Sequence, residues 1–210
     1  MKKFAFILPL LFITSIAAAS IDNPFFRGYR HQVGFSIGAG VNSGIIVPPP
    51  MEWVPFAEFH IQYSVPATIF YFPARFSINI TQTVGWDSKY DLSFRRGYSS
   101  RRWRTPEQCP PGACQWRWQD YTIPIIYLSL DVALWHNDRW FVGVGPGVGM
   151  QGQENERIGS KLVFIFKPFI GYRINDRTAI EFYIRHFSNG NTAPENNSYA
   201  FYGISITRNF

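Results

Sequence analysis

The sequence predicts an all-β protein, an eight-stranded antiparallel transmembrane β-barrel of the bacterial outer membrane. Three observations lead to this prediction: an export signal, a repeated alternation of apolar and polar residues, and connections that are alternately short and long. Helix signals are weak, because glycine and proline are frequent and aromatic residues make up 18% of the chain.

The chain begins with the features of a secretory signal peptide over residues 1–19. Two lysines precede an apolar stretch at 4–16, and three alanines at 17–19 form a small-residue cleavage site. No later segment has the roughly 18 to 20 uninterrupted apolar residues that a spanning helix requires. We therefore expect an exported chain whose residues 20–210 form a single barrel domain.

Charge and cysteine content narrow the function classes. The formal net charge is +6, of which the two signal lysines contribute 2, and the remaining +4 does not argue for a nucleic-acid partner. Cys109 and Cys114 are the only cysteines. In an exported chain they are expected to form a disulfide that closes a small loop, and a metal site is the weaker reading because no further ligands lie nearby in sequence.

Eight segments alternate with the two-residue period of a strand that has one apolar face. They are Gln32–Asn42, Trp53–Tyr63, 70–81, 122–134, Trp140–Met150, 162–170, 178–188 and a last strand that ends at Phe210. The connections at 65–68, 136–139 and 174–177 are short, and those at 43–52, 85–120, 151–160 and 189–197 are long. Short turns on one side, long loops on the other and an even strand number are typical of an outer-membrane barrel.

The composition of the two strand faces indicates whether the barrel is surrounded by water or by lipid. A soluble barrel of the lipocalin type would turn the phenylalanine-rich rows inward, whereas a membrane barrel turns them toward lipid, and we favour the latter. The interior of an eight-stranded barrel is just filled by side chains. We therefore expect the inward charges to pair there, with His60 as a partner of Glu58. These charges are Glu58, Arg75, Asp131, Lys167, Glu181 and Arg185.

The candidate chemistry lies at the end of the seventh predicted strand, 178–188. His186 and Ser188 are two residues apart, so their side chains emerge on the same, apolar face, near the outer-leaflet boundary. A serine hydroxyl becomes a nucleophile beside a base such as neutral imidazole. The following segment, 189–191, offers amide groups for a developing oxyanion, and Glu195 is placed to orient the imidazole. The alternative is a polar strand end at the level of the lipid headgroups.

The segment His186–Gly190, followed by Pro194 and by 198–202 in a final strand, resembles the lipid A 3-O-deacylase (PagL) family. The resemblance covers roughly residues 139–210. It implies an outer-membrane esterase that removes the acyl chain ester-linked at position 3 of lipid A, with His186 as general base and Ser188 as nucleophile.

The resemblance also implies the rest of the site. Asn189, Gly190 and Asn196 would form the oxyanion region. The acidic residue of the family aligns with Asn196 or Asn197, so that Glu195 lies one or two positions early. We expect Glu195 to fill this role, while orientation by an asparagine and an unaided pair stay open.

Lipid A or lipopolysaccharide is therefore the expected substrate, and no cofactor or metal is expected. The Arg-rich segment 85–120, a predicted extracellular loop, is suited to bind lipid A or core phosphates, or is a merely solvated loop. Whether the barrel forms a homodimer is left open. The rival functions are a non-enzymatic surface barrel of the OmpX or opacity type and another outer-membrane lipid hydrolase or acyltransferase.

Overall fold

The protein folds into antiparallel strands that close into a barrel. The structure is a computed structural model that describes residues 22–41, 53–91, 115–120, 122–155, 158–193 and 198–210. The strands are β1 Gln32–Val41, β2 Trp53–Ile69, β3 Phe72–Asp91, β4 Gln115–Asp120, β5 Pro124–His136, β6 Trp140–Gln151, β7 Leu162–Asn175, β8 Thr178–Ser188 and β9 Tyr199–Asn209. No helix in these ranges has the length and apolar character to cross a membrane.

Strands that are consecutive in the chain pair with each other, except that β5 pairs with β3 and not with β4, and β1 pairs with β9 to complete the circle. The described strands thus form an eight-stranded antiparallel barrel, as the sequence predicts. The ninth strand, β4, pairs only with residues 86–91 of β3. These two segments form an antiparallel pair that extends beyond the barrel. The strand backbone therefore continues into both ends of segment 85–120, where the sequence alternation gives no signal.

The two faces of the barrel have opposite composition. Phe35, Ile37 and Phe59 point outward and are more than half exposed, whereas Ser36, His60 and the other alternate residues are buried inside. The apolar rows thus cover the outside of the barrel, as predicted. A barrel of the lipocalin type would place them in its interior.

Two of the three predicted short turns are confirmed, at 137–139 and 176–177. In each, an asparagine side chain caps the turn: Asn137 Oδ1 accepts the N–H groups of residues 139 and 140, and Asn175 Oδ1 accepts those of 177 and 178. The third prediction, a turn at 65–68, is wrong, because β2 continues to Ile69 and turns at 70–71. Pro66 is tolerated there because the pairing with β1 begins only at Ser64, so its missing N–H faces a free edge.

A segment that the sequence does not predict closes the turn end of the barrel. Residues 22–30 form a plug, and two of its aromatic side chains, Phe25 and Phe26, are almost fully buried. Barrel side chains hold its backbone: Gln32 donates to the Phe25 carbonyl at 2.9 Å, and Asn209 donates to the carbonyls of Phe25 and Phe26 at 2.9 and 3.1 Å. Arg173 donates to the Pro24 carbonyl at 2.9 Å.

The inward charges pair as predicted. Arg75 bonds both Asp131 and Glu181, Lys167 bonds Asp131, and Arg185 bonds Glu58. The predicted partnership of His60 with Glu58 is wrong. His60 Nδ1 is instead 2.8 Å from the Thr81 hydroxyl, because that residue is its direct cross-strand neighbour on β3.

Candidate active site on the outer face of the barrel

The alternation of β8 places the two candidate residues on the outside of the barrel. Residues 179, 181, 183, 185 and 187 are buried in the interior, and the even-numbered residues face outward with Phe182. His186 and Ser188 belong to this outward row and lie next to each other at the end of the strand that leads into the long connection.

Apolar residues of the adjacent strands surround the pair. Phe164 and Phe166 of β7 are the direct cross-strand partners of Ser188 and His186. On the other side, Ala200 of β9 is the partner of His186. Ala200 shares the outward row yet is only 3% exposed, so neighbouring side chains cover it.

The imidazole of His186 is half-buried and incompletely bonded. Its Nδ1 atom is buried and has no hydrogen-bond partner among the described residues. Within the same residues, no hydrogen bond joins His186 to Ser188, so the pair is side by side rather than bonded. Catalytic hydrogen bonds are often long without substrate and shorten when substrate binds.

Between the two outward residues, Phe187 fixes the strand from inside. Its side chain is fully buried, and its ring meets Tyr127 and Phe201 edge-on, with centroids 5.8 and 6.2 Å apart. These rings belong to an apolar cluster at the loop end of the interior. Rotation of the strand about its axis would remove Phe187 from this cluster, so the cluster keeps His186 and Ser188 facing outward.

The turn after Ser188 is organised by Asn189, whose side chain is fully buried. Its Oδ1 accepts the N–H of Asn191 at 2.8 Å, and its Nδ2 donates to the carbonyl of Ala193 at 3.2 Å. Gly190 follows with a positive φ of 61°, and a β-carbon there would lie 2.9 Å from the Phe164 ring. The sequence places these residues correctly beside Ser188 but misses the turn-forming role of the Asn189 carboxamide.

Several predicted site residues lie outside the described residues. These are Glu195, Asn196, Asn197, Cys109 and Cys114. Their roles as third catalytic residue, oxyanion donor and disulfide therefore stay predictions. Among the residues that the structure does describe, no group of three or more His, Cys, Asp or Glu side chains is arranged around a common metal position.

A closed antiparallel barrel with an apolar outer surface and a polar interior is the architecture of an outer-membrane protein. Within that class, the model of the lipid A 3-O-deacylase (PagL) family matches residues 74–209, which is more than half of the chain. The chain belongs to this family and is located in the outer membrane.

Solved outer-membrane barrels are similar in fold. The crystal structure of the outer membrane enzyme PagL has 11% identity and a TM-score of 0.48, over 85% of this chain and 99% of that one. The crystal structure of Neisserial surface protein A has 11% identity and a TM-score of 0.46, over 86% and 96% of the two chains. Ail of Yersinia pestis has 10% identity and a TM-score of 0.40, over 85% and 99%. No curated protein matches the chain by sequence.

Proposed function

We propose that the protein removes the 3-O-linked acyl chain of lipid A with Ser188 and His186, on the lipid-facing side of the barrel. The observation that carries this proposal is the shared outward position of the two side chains at one strand end. A serine on that face meets acyl-ester groups at the membrane boundary, which a site inside the filled barrel does not reach.

The chemistry follows from these two side chains. Ser188 Oγ attacks the ester carbonyl carbon while His186 accepts the hydroxyl proton. The tetrahedral intermediate collapses with release of the sugar alkoxide, to which His186 returns the proton. Water then attacks the acyl-serine, again with His186 as base, and the fatty acid leaves. The turn that begins at Asn189 and Gly190 is our assignment for the oxyanion region, together with Asn196.

A third residue is assigned to orient the imidazole. Buried polar atoms are nearly always hydrogen-bonded, and Nδ1 of His186 has no partner among the described residues, so we expect an acceptor elsewhere in the chain. We assign this role to Glu195, with Asn196 or Asn197 as the alternative. The expected result is that Glu195→Gln lowers kcat more than Asn197→Ala does, and the reverse order would move the role to the asparagine.

Mass spectrometry of lipid A from cells that express each variant tests the proposal. Wild type is expected to remove one acyl chain, and Ser188→Ala and His186→Ala to remove none. Ser205→Ala is the matched control, because it makes the same change at an inward position of the neighbouring strand. Heat-modifiable migration of the barrel in gels verifies folding.

The other outcomes of this experiment are equally informative. Unchanged lipid A with the folded wild type would favour a non-enzymatic surface barrel and refute the deacylase. Cleaved phospholipid would favour another lipid hydrolase. Loss of the acyl chain with Ser188→Ala would refute the serine mechanism while leaving the family activity intact.

A further inference from the structure

One interior contact crosses two strands to reach the strand that carries the candidate site. Glu58 lies on β2 and contacts Tyr183 and Arg185 on β8, although β1 and β9 stand between them. The cross-strand register gives the path: Glu58 is opposite Gly38, which is opposite Gly203, which is opposite Tyr183. Both intervening positions are glycine.

The two glycines, here called the glycine gap, provide the space for this contact. A β-carbon at Gly38 would lie 2.9 Å from both Cγ and Oε1 of Glu58. A β-carbon at Gly203 would overlap the hydroxyl group of Tyr183. Real β-carbons do not approach other atoms this closely, so any side chain in the gap displaces Glu58 or Tyr183.

A single carboxylate oxygen receives both groups from β8. Glu58 Oε1 accepts Nη1 of Arg185 at 2.9 Å and the hydroxyl of Tyr183 at 2.7 Å. The Arg185 guanidinium also lies 4.4 Å above the Tyr183 ring. Glu58 and Arg185 are fully buried, so this is a charged, water-excluded contact. The Arg185 bond is monodentate, and Glu58 Oε2 and Arg185 Nε have no hydrogen-bond partner among the described residues.

The contact lies immediately before the candidate site. Arg185 precedes His186 and points to the opposite side of the same strand, so their orientations are coupled by the backbone. Any twist of the strand that moves His186 toward the interior must pull Arg185 away from Glu58. Phe187 restrains the strand on the other side of His186, but through apolar contacts that have no directional bond.

We infer that Glu58 is a positioning residue for the His186–Ser188 pair, acting through Arg185 and Tyr183 across the glycine gap. This inference rests on the proposed function. Glu58 lies inside the barrel, where it touches neither substrate nor the reacting atoms. Its effect is to fix the orientation of the His186 side chain on the outer face of the barrel.

The barrel contains a matched control for this contact. Asp131 is an equally buried carboxylate that accepts from Lys167 at 2.6 Å and from Arg75 at 2.8 Å. A β-carbon at Gly145 would overlap Asp131 Oδ1, just as one at Gly38 meets Glu58. Asp131 lies on β5, Gly145 on β6, and the partners Arg75 and Lys167 on β3 and β7, and Asp131 makes no bond to β8 among the described contacts. The network reaches β8 through the bond of Arg75 to Glu181, which lies four residues before Arg185.

The experiment measures kcat and KM for deacylation of lipid A in mixed micelles by purified, refolded protein. Glu58→Gln and Gly38→Ala are expected to lower kcat by about tenfold or more, since a small misplacement of a catalytic group has effects of this size. Asp131→Asn and Gly145→Ala are expected to keep kcat within about twofold of wild type. KM should change little in all four variants, because none of them contacts substrate.

The double variant Glu58→Gln with Arg185→Gln separates positioning from simple destabilisation. Each change alone leaves a buried charge uncompensated, whereas the double change gives a neutral pair that can still form a hydrogen bond. Recovery of kcat above that of Glu58→Gln is expected. If Glu58→Gln does not fold, Gly38→Ala provides the same test, because it retains both charges.

Three results would overturn the inference. The first is an unchanged kcat in both Gly38→Ala and Glu58→Gln. The second is an equal decrease of kcat in the controls Asp131→Asn and Gly145→Ala. The third is an increase of KM with no change of kcat. These are distinct from failure of the proposed function, in which Ser188→Ala keeps full activity. In that case both the proposal and the inference are wrong.

Discussion

Arg75 is the interior residue whose removal should destabilise the barrel most. Its guanidinium donates to Glu181 at 2.5 and 2.7 Å, to Asp131 at 2.8 Å and to Gln32 at 2.9 Å. It also lies 4.6 Å above the Phe25 ring of the plug. The change Arg75→Met retains much of the side-chain volume but removes all of these bonds.

The magnitude follows from what is left behind. Asp131 keeps its bond to Lys167 at 2.6 Å, whereas Glu181, 1% exposed, has no other hydrogen bond among the described residues. Removing one partner of a buried ion pair destabilises by about 3 to 5 kcal/mol, because the other charge stays buried and uncompensated. Replacing both partners has a much smaller effect, so Arg75→Met with Glu181→Gln should lie within about 2 kcal/mol of wild type.

The assay is reversible unfolding in guanidinium chloride with the barrel in lipid vesicles, followed by tryptophan fluorescence. Arg139→Met is the control, because Arg139 is exposed and bonds only the Tyr172 hydroxyl, at 2.9 Å, among the described side chains. It should change the free energy of unfolding by less than about 0.5 kcal/mol. An Arg75→Met effect below about 1 kcal/mol, or a double variant no more stable than the single one, would refute the reasoning.

Three further changes test the site and the plug. Gly190→Ala should lower the free energy of unfolding by about 1 to 3 kcal/mol and should also lower the deacylation rate. The reason is that φ is positive at this position and that the added β-carbon would meet the Phe164 ring. Enzyme kinetics and equilibrium unfolding measure these effects, and wild-type values would contradict the prediction. Phe187→Ala should destabilise by about 3 to 5 kcal/mol in the same unfolding assay, and an unchanged midpoint would show that the ring is not a core group. Phe25→Ala should loosen the plug and accelerate tryptic cleavage after Arg27, and an unchanged cleavage rate would argue against the plug.

Much of the fold was predictable from the sequence because alternation depends only on local residue order. The period of two in β8 correctly separates Glu181 and Arg185 from Phe182 and His186. The pairing of inward charges also follows, since a filled interior leaves them no water. In both cases the physical requirement applies at every position of the strand.

The features that were missed depend on partners far away in the chain. The plug, 22–30, has no period because barrel side chains, rather than strand pairing, hold it in place. The bond of Arg185 to Glu58 joins residues 127 positions apart. The turn wrongly predicted at 65–68 has the same origin. Pro66 indicates a strand end in the sequence, and only the pairing pattern shows that β1 does not extend far enough to pair with it.

The hydrolytic pair that we propose on the lipid face must be held in its orientation by contacts inside the barrel. Lipid chains offer no hydrogen bonds and no fixed contacts, so they cannot orient an imidazole. The strand that carries His186 and Ser188 is restrained at its inward positions instead, by the carboxylate bound to Arg185, by the rings around Phe187 and by the turn built on Asn189. Because inward and outward residues alternate on one backbone, each interior contact also fixes the direction of its outward neighbour.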